Sequence, residues 1–194
     1  MYARSISQED ISTLPRVTFK GRILLVTSLQ ELKNVLPLLR SKDTLGFDTE
    51  TKPSFRKGIR NRIALLQLAD SSDAFLFRVN TLGLPDELAE ILEDSSIRKI
   101  GAAVHDDLRS LNTIRKMKPQ SFIDLQKYSL GYRIEDKSVR KLAAIVLNVN
   151  ISKSQQLSDW ERHELTRAQM QYAATDAWIC HEIYNRLRKT DFSG

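Results

Sequence analysis

With 194 residues, 41% of them hydrophobic and 28% charged, the chain has the make-up of one globular domain with a sizeable core, and no low-complexity or linker segment divides it. Its longest apolar runs, Ile23 to Val26 and Ala143 to Leu147, are far too short to span a bilayer, and the N-terminus lacks a hydrophobic signal core, so an intracellular, cytoplasmic protein with no membrane partner is expected. The single cysteine, Cys180, excludes an internal disulfide and a cysteine-built zinc cluster, while the formal net charge of +6 fits either a polyanionic partner or a merely basic, solvated surface.

In chain order, Ser7 to Asp10 can cap a short N-terminal helix before the break at Leu14-Pro15, which makes residues 1–20 an arm ahead of a domain at 21–194. Residues 22–27 read as a buried strand. Ser28-Leu29-Gln30-Glu31 is a capping-box pattern that opens a helix to about Arg40, with Leu29, Leu32, Val35, Leu36 and Leu39 on one face. Strands are predicted at about 44–50, 62–69 and 74–79, the last two as a hairpin turning at Ser71-Ser72-Asp73. A helix follows at about 85–93 and a strand at 99–103, after which Asp107 opens a further helix. Residues 125–130 and 138–147 read as helical. A long helix at 168–188 is capped by Thr166-Arg167-Ala168-Gln169. Strands first and alternating elements later predict an α/β domain with a mixed sheet.

Four carboxylates stand at the ends of apolar segments, where an acid is costly to bury unless it is paired or bound to metal. Asp48 and Glu50 lie two apart on one strand, so both side chains leave the same face, with Cα atoms about 6.5 Å apart. The competing reading is a strand end turning into solvent, since Lys52 and Pro53 follow. Tyr172 and Asp176 share a helix face at i, i+4 with Cys180, Ile183 and Leu187, which puts Asp176 inside an apolar stripe. Of the adjacent pair Asp106 and Asp107, helical phase sets Asp107 with Val104 and Leu111 toward the core. Asp106 falls with Arg109 and Ser110, where it can only cap the helix N-terminus. Clustered acids of this kind suit hard divalent cations with oxygen ligands.

These motifs resemble the DEDDy group of 3′–5′ exonucleases, which includes ribonuclease D and the exonuclease domain of the Werner syndrome protein. The resemblance runs from Phe47-Asp48-Thr49-Glu50 through Arg62 to Leu68, Gly101 to Leu111 and Phe122-Ile123-Asp124. It ends in Leu157-Ser158-Asp159-Trp160, Leu165-Thr166 and Tyr172 to Ala177. It implies a ribonuclease H-like fold, with a mixed central sheet flanked by helices on both faces. It also implies hydrolysis of phosphodiester bonds at the 3′ end of DNA or RNA by two Mg²⁺ or Mn²⁺ ions, with release of nucleoside 5′-monophosphates. By that likeness Asp48 bridges the ions, Glu50 and Asp176 complete the site, Asp107 supports the second ion through water, and Tyr172 orients the attacking water. The subgroup with histidine carries it five residues before the last acid. Here that position is Gln171, so only the tyrosine version is available. The implied partner is nucleic acid with a free 3′ end. A catalytically weak nucleic-acid-binding module of the same fold is the alternative. The chain stops soon after Arg188, so no accessory helical domain of the ribonuclease D kind is expected after it.

Outside the acids, Lys52, Arg56, Lys57, Arg60 and Arg62 crowd the segment after the first acidic strand. They would hold phosphates if that strand end carries the metals, with Phe55 either stacking on a terminal base or packing onto the domain. A solvated hairpin loop has the same composition. Lys137, Arg140, Lys141 and Lys153 form a second basic set ahead of Trp160, itself a core anchor. Asp124 is expected as a helix cap and Cys180 as an inert buried thiol. His105, His163 and His181 lack metal-ligand spacing.

Overall fold

Strict alternation along the strands builds the two sides of this molecule. The structure, a computed structural model, describes residues 1–54 and 61–190. The strands are β1 (Arg22–Val26), β2 (Thr44–Thr51), β3 (Ile63–Ala69), β4 (Asp73–Phe77), β5 (Arg98–Gly101) and β6 (Phe122–Asp124). They form one sheet in the order β1-β4-β3-β2-β5-β6. The pairs β2/β3 and β3/β4 are antiparallel, and β1/β4, β2/β5 and β5/β6 are parallel. The sheet is therefore mixed, as expected.

The helices are α1 (Gln8–Thr13), α2 (Leu29–Arg40), α3 (Val79–Leu82), α4 (Asp86–Glu93), α5 (Val104–Ile114), α6 (Leu125–Tyr128), α7 (Val139–Leu147) and α8 (Arg167–Arg188), with a 3₁₀ turn at Ser129–Tyr132. Leu45 and Phe47 of β2, Leu66 and Leu68 of β3, and Phe75 and Phe77 of β4 bury one sheet face with the apolar stripes of α2, α4 and α5. Each such side chain contributes about 1.5–3 kcal/mol of burial. The other face of β3 and β4 (Leu65, Ala69, Ala74, Leu76) lies under α8 and the segment around Trp160. Covered on both sides, β3 is buried along its whole length, which its unbroken run Ile-Ala-Leu-Leu-Gln-Leu-Ala anticipates. The capping boxes at Ser28/Glu31 and Thr166/Gln169 start α2 and α8 as their sequences predict. No described helix is long and apolar enough to cross a membrane.

Three local expectations shift. The helix expected to open at Asp107 begins at Val104, because Ala103 takes a left-handed conformation (φ 55°) and Asp107 falls in the first turn. The strand expected to reach Val79 stops at Phe77, and Val79 begins α3. Residues 122–124, read only as part of the family-like pattern, form the short edge strand β6, whose three residues carry no periodicity to detect. The arm is packed along its length. Ile11 and Phe19 are buried, Arg16 bridges to Asn150, and the Tyr2 hydroxyl meets that of Thr190 at 2.8 Å.

Candidate active site

Gly46, Asp48 and Glu50 leave the face of β2 that looks toward α8, where pairing with β3 sets them opposite Ala69, Gln67 and Leu65. The helix comes unusually close at Gly46. A Cβ there would lie 1.8 Å from the Ala177 carbonyl oxygen, so only glycine lets the backbone of α8 rest on the strand. This approach carries Asp176, one residue before Ala177, to the acids of β2. Carboxylate oxygens of Asp48, Glu50 and Asp176 all come within 4.8 Å of one another. The strand register breaks between Glu50 and Thr51, ending the regular ladder beside the acidic pair.

Asp107 comes from the opposite side, on α5, and is outside that trio. Its Oδ1 accepts a 2.7 Å hydrogen bond from the Thr49 hydroxyl, so the residue between the two strand acids holds the fourth acid in place. Asp106 points to solvent and pairs with Arg109 at 3.5 Å. Tyr172 precedes Asp176 by one helical turn on α8, and the two line the same cleft. The tyrosine ring stands 6.0 Å from that of the fully buried Trp160.

Burial is the leading cause of every shift in this cluster, and repulsion by the other acids adds to it at Asp48 and Glu50. Glu50 is pushed up to about 10 by burial, then by Asp48, Asp176 and Asp107. Asp48 is driven well above the usual carboxylate range by burial, then by Asp176 and Asp107. Asp176 rises to about 7 through burial, opposed by the Tyr172 hydroxyl and the charge of Lys153. Asp107 rises to about 6, again from burial, against the pull of the Thr49 hydroxyl. Tyr172 is raised too, by burial and the neighbouring carboxylates, and so keeps its proton. A pocket of carboxylates that resist ionisation suits divalent cations, because added positive charge reverses both causes at once. The oxygen-only donor set suits a hard divalent cation rather than a thiolate- or imidazole-preferring metal.

A cleft of about 290 Å³ opens over the acids. Its far wall is formed by the start of α7 and residues 151–156, and it brings Arg140 and Lys153 in with Asp48, Glu50, Tyr172 and Asp176. Arg140 is held from behind: its Nε donates to Asn150 Oδ1 at 2.8 Å and its Nη1 to Gln8 Oε1 at 3.3 Å. Of the basic group expected at this site, Lys52 and Arg62 are among the described residues. Lys52 pairs with Asp159 at 3.4 Å and Glu161 at 3.7 Å, and Arg62 lines a separate cleft with Glu161. Phe55, Arg56, Lys57 and Arg60 lie outside the described residues. Arg140 and Lys153 had been noted only as part of a second basic set. Their nearness to Trp160 and the last motif was the one available hint. Asp124 caps α6 and accepts the Ala103 N–H at 3.0 Å, and the Cys180 thiol is buried and pushed up.

A family model described as 3′-5′ exonuclease matches residues 23–190. The mouse protein named bifunctional 3'-5' exonuclease/ATP-dependent helicase WRN is 30% identical over 187 residues, which cover 90% of this chain and 13% of the mouse protein. A 3'-5' exonuclease of Arabidopsis thaliana is 27% identical over 197 residues, covering 90% of this chain and 66% of its own. The chain thus spans only part of these relatives. Among solved structures, Escherichia coli RNase D, an exoribonuclease involved in structured RNA processing, superposes with a TM-score of 0.73 at 26% identity. That match covers 84% of this chain and 44% of the E. coli chain.

Proposed function

This chain belongs to the 3′–5′ exonuclease family, whose matched region takes in Asp48, Glu50, Asp107, Tyr172 and Asp176, and from that we propose that it removes nucleotides one at a time from the 3′ end of DNA or RNA. The observation that carries the reading is the meeting of Asp48, Glu50 and Asp176 within 4.8 Å at the floor of a cleft with cationic walls. We place the hydrolytic unit in residues 21–194 and assign the arm at 1–20 a supporting part. The substrate we expect is intracellular nucleic acid with a free 3′ end.

Asp48, Glu50 and Asp176 would hold two Mg²⁺ or Mn²⁺ ions, with Asp107 assisting through water. When bound, such a pair activates the attacking water and stabilises the leaving 3′ oxygen in an in-line displacement at phosphorus. The chain's own residues then perform the positioning. Tyr172 stays protonated, so its hydroxyl can aim a water but cannot serve as a base at neutral pH. It lines the cleft beside Asp48, Glu50 and Asp176, within the reach such a role needs. Arg140 and Lys153 lie where they can take phosphate oxygens of the strand, and the Asn150 and Gln8 contacts reduce the entropy lost when Arg140 does so. Thr49 holds Asp107 toward the trio.

The competing reading is a binding module that has lost hydrolysis. It is disfavoured because all four acids and the tyrosine are present, and because a site built only to bind a polyanion would not gather buried acids in its floor. The test is degradation of end-labelled single-stranded, recessed and blunt DNA and matched RNA in Mg²⁺, in Mn²⁺ and in EDTA. A 3′ label should leave first as mononucleotide and a 5′ label should give a descending ladder. Cutting of a circular strand, or products unchanged by EDTA, would overturn the reading.

A further inference from the structure

Gln67, in the middle of β3, is fully buried, and neither its Nε2 nor its Oε1 has a hydrogen-bond partner. Its register places it directly opposite Asp48 on β2 and Leu76 on β4. Residues directly opposite on antiparallel strands leave the same face with Cβ atoms about 4.5–5.5 Å apart, within the span of a glutamine side chain. On β3 and β4 the rest of that face is apolar: Leu65 and Leu76 pack with Ala173 of α8, and Ala69 and Ala74 with Ala174 and Ala177. The carboxylate of Asp48 is therefore the polar group that the register sets against this amide.

An unsatisfied buried polar group costs about 1–3 kcal/mol, which a methionine of similar length would avoid. A buried amide without a protein partner points to a state of the site in which it bonds, and the group the register offers it is Asp48. An ionised carboxylate offers about four lone-pair positions, and contact with two cations uses two of them. We propose that Gln67 is a positioning residue that donates Nε2–H to the Asp48 carboxylate in the metal-loaded site and fixes the orientation in which Asp48 meets the ions. It stands behind the site and takes no part in the chemistry. The proposal rests on the two-metal reading of the trio and assigns the residue that aims its central ligand.

The experiment is calorimetric titration of Mn²⁺ into metal-free wild type and Gln67→Met, with thermal unfolding of both metal-free proteins. Supporting residues behind metal ligands typically contribute 10- to 100-fold in affinity. The Met variant should bind Mn²⁺ that much more weakly while its metal-free Tm stays level or rises. An unchanged affinity would overturn the proposal, whatever the Tm does. Should Gln67→Met not fold, side-chain amide resonances of ¹⁵N-labelled wild type give the answer. The Gln67 amide should move downfield and exchange more slowly with solvent on saturation with Mg²⁺, and an unmoved resonance would overturn the idea. Wild type that binds no Mn²⁺ would instead overturn the metal-site reading beneath it.

Discussion

Successive residues of β2 serve opposite purposes. Leu45 and Phe47 point into the apolar layer built with α2, α4 and α5, whereas Gly46, Asp48 and Glu50 face α8. The first set releases free energy on folding. The second brings together groups that resist ionisation and repel one another. Because the side-chain period of a strand is two, one backbone rigidifies itself from the first face and presents acids on the second, so packing offsets repulsion a few ångströms away. The lesson is that stability and chemistry are separable here by residue parity.

Substitutions along this strand should split accordingly. Asp48→Ala or Asp176→Ala is expected to abolish hydrolysis, while the metal-free protein keeps its Tm or gains a little from lost repulsion. Matched turnover and melting measurements check this, and a marked loss of Tm would contradict the parity argument. Phe47→Ala should do the reverse, costing about 3–5 kcal/mol of stability in denaturant titration while the folded fraction retains measurable turnover.

Tyr172→Phe sharpens the contrast within the acidic side, since it deletes the hydroxyl proposed to orient the water and removes no carboxylate. Its kcat should drop about 10- to 1000-fold with KM nearly constant, and Mn²⁺ affinity should hold. Arg140→Ala and Lys153→Ala concern the cleft wall. Each should raise KM about tenfold, in line with loss of one hydrogen bond to a charged group, and flatten the salt dependence of binding. Lys52→Ala should change either quantity less, because Lys52 already pairs with Asp159 and Glu161.

A pair of opposite pH signatures separates the two sides by their charge. Glu50 holds its proton to about 10 in the fold against an ordinary 4.5, so the native state binds more protons in that interval and metal-free stability falls as pH rises through it. Glu50→Gln should flatten that decline. Asp70 is shifted the other way, below its ordinary 3.8: burial raises it, but the Lys42 ammonium at 2.6 Å and the Asp73 and Ser72 amides outweigh that. Its contribution is complete above 3.8 and fades as pH falls below it, so Asp70→Asn should lose stability at neutral pH and little in acid. Melting curves across pH with and without Mg²⁺ test both signs.

The acids and the tyrosine were legible because each depends on a local period. Asp48 and Glu50 needed the strand repeat, Tyr172 and Asp176 the helical one, and Asp107 the phase set by Val104 and Leu111. The mixed sheet and most elements followed from the same periods and from two capping boxes. Arg140 and Lys153 were not legible as part of the cleft. Their place depends on how residues 148–156 return beside β2, which is held by the bridge of Asn150 to Arg16 and by no local pattern. Gln67 escaped notice for a related reason, since one amide in an apolar run means nothing until strand register names its neighbour.

The distance along the chain between the acids has a consequence for synthesis. Asp48 and Glu50 leave the ribosome early, whereas Tyr172 and Asp176 arrive only with α8, the helix that also covers the second sheet face. At about 5–20 residues per second the interval is on the order of ten seconds. During it the nascent chain has only part of its ligand set and an uncovered sheet. Until α8 docks at Gly46, Asp176 cannot join the two acids of β2.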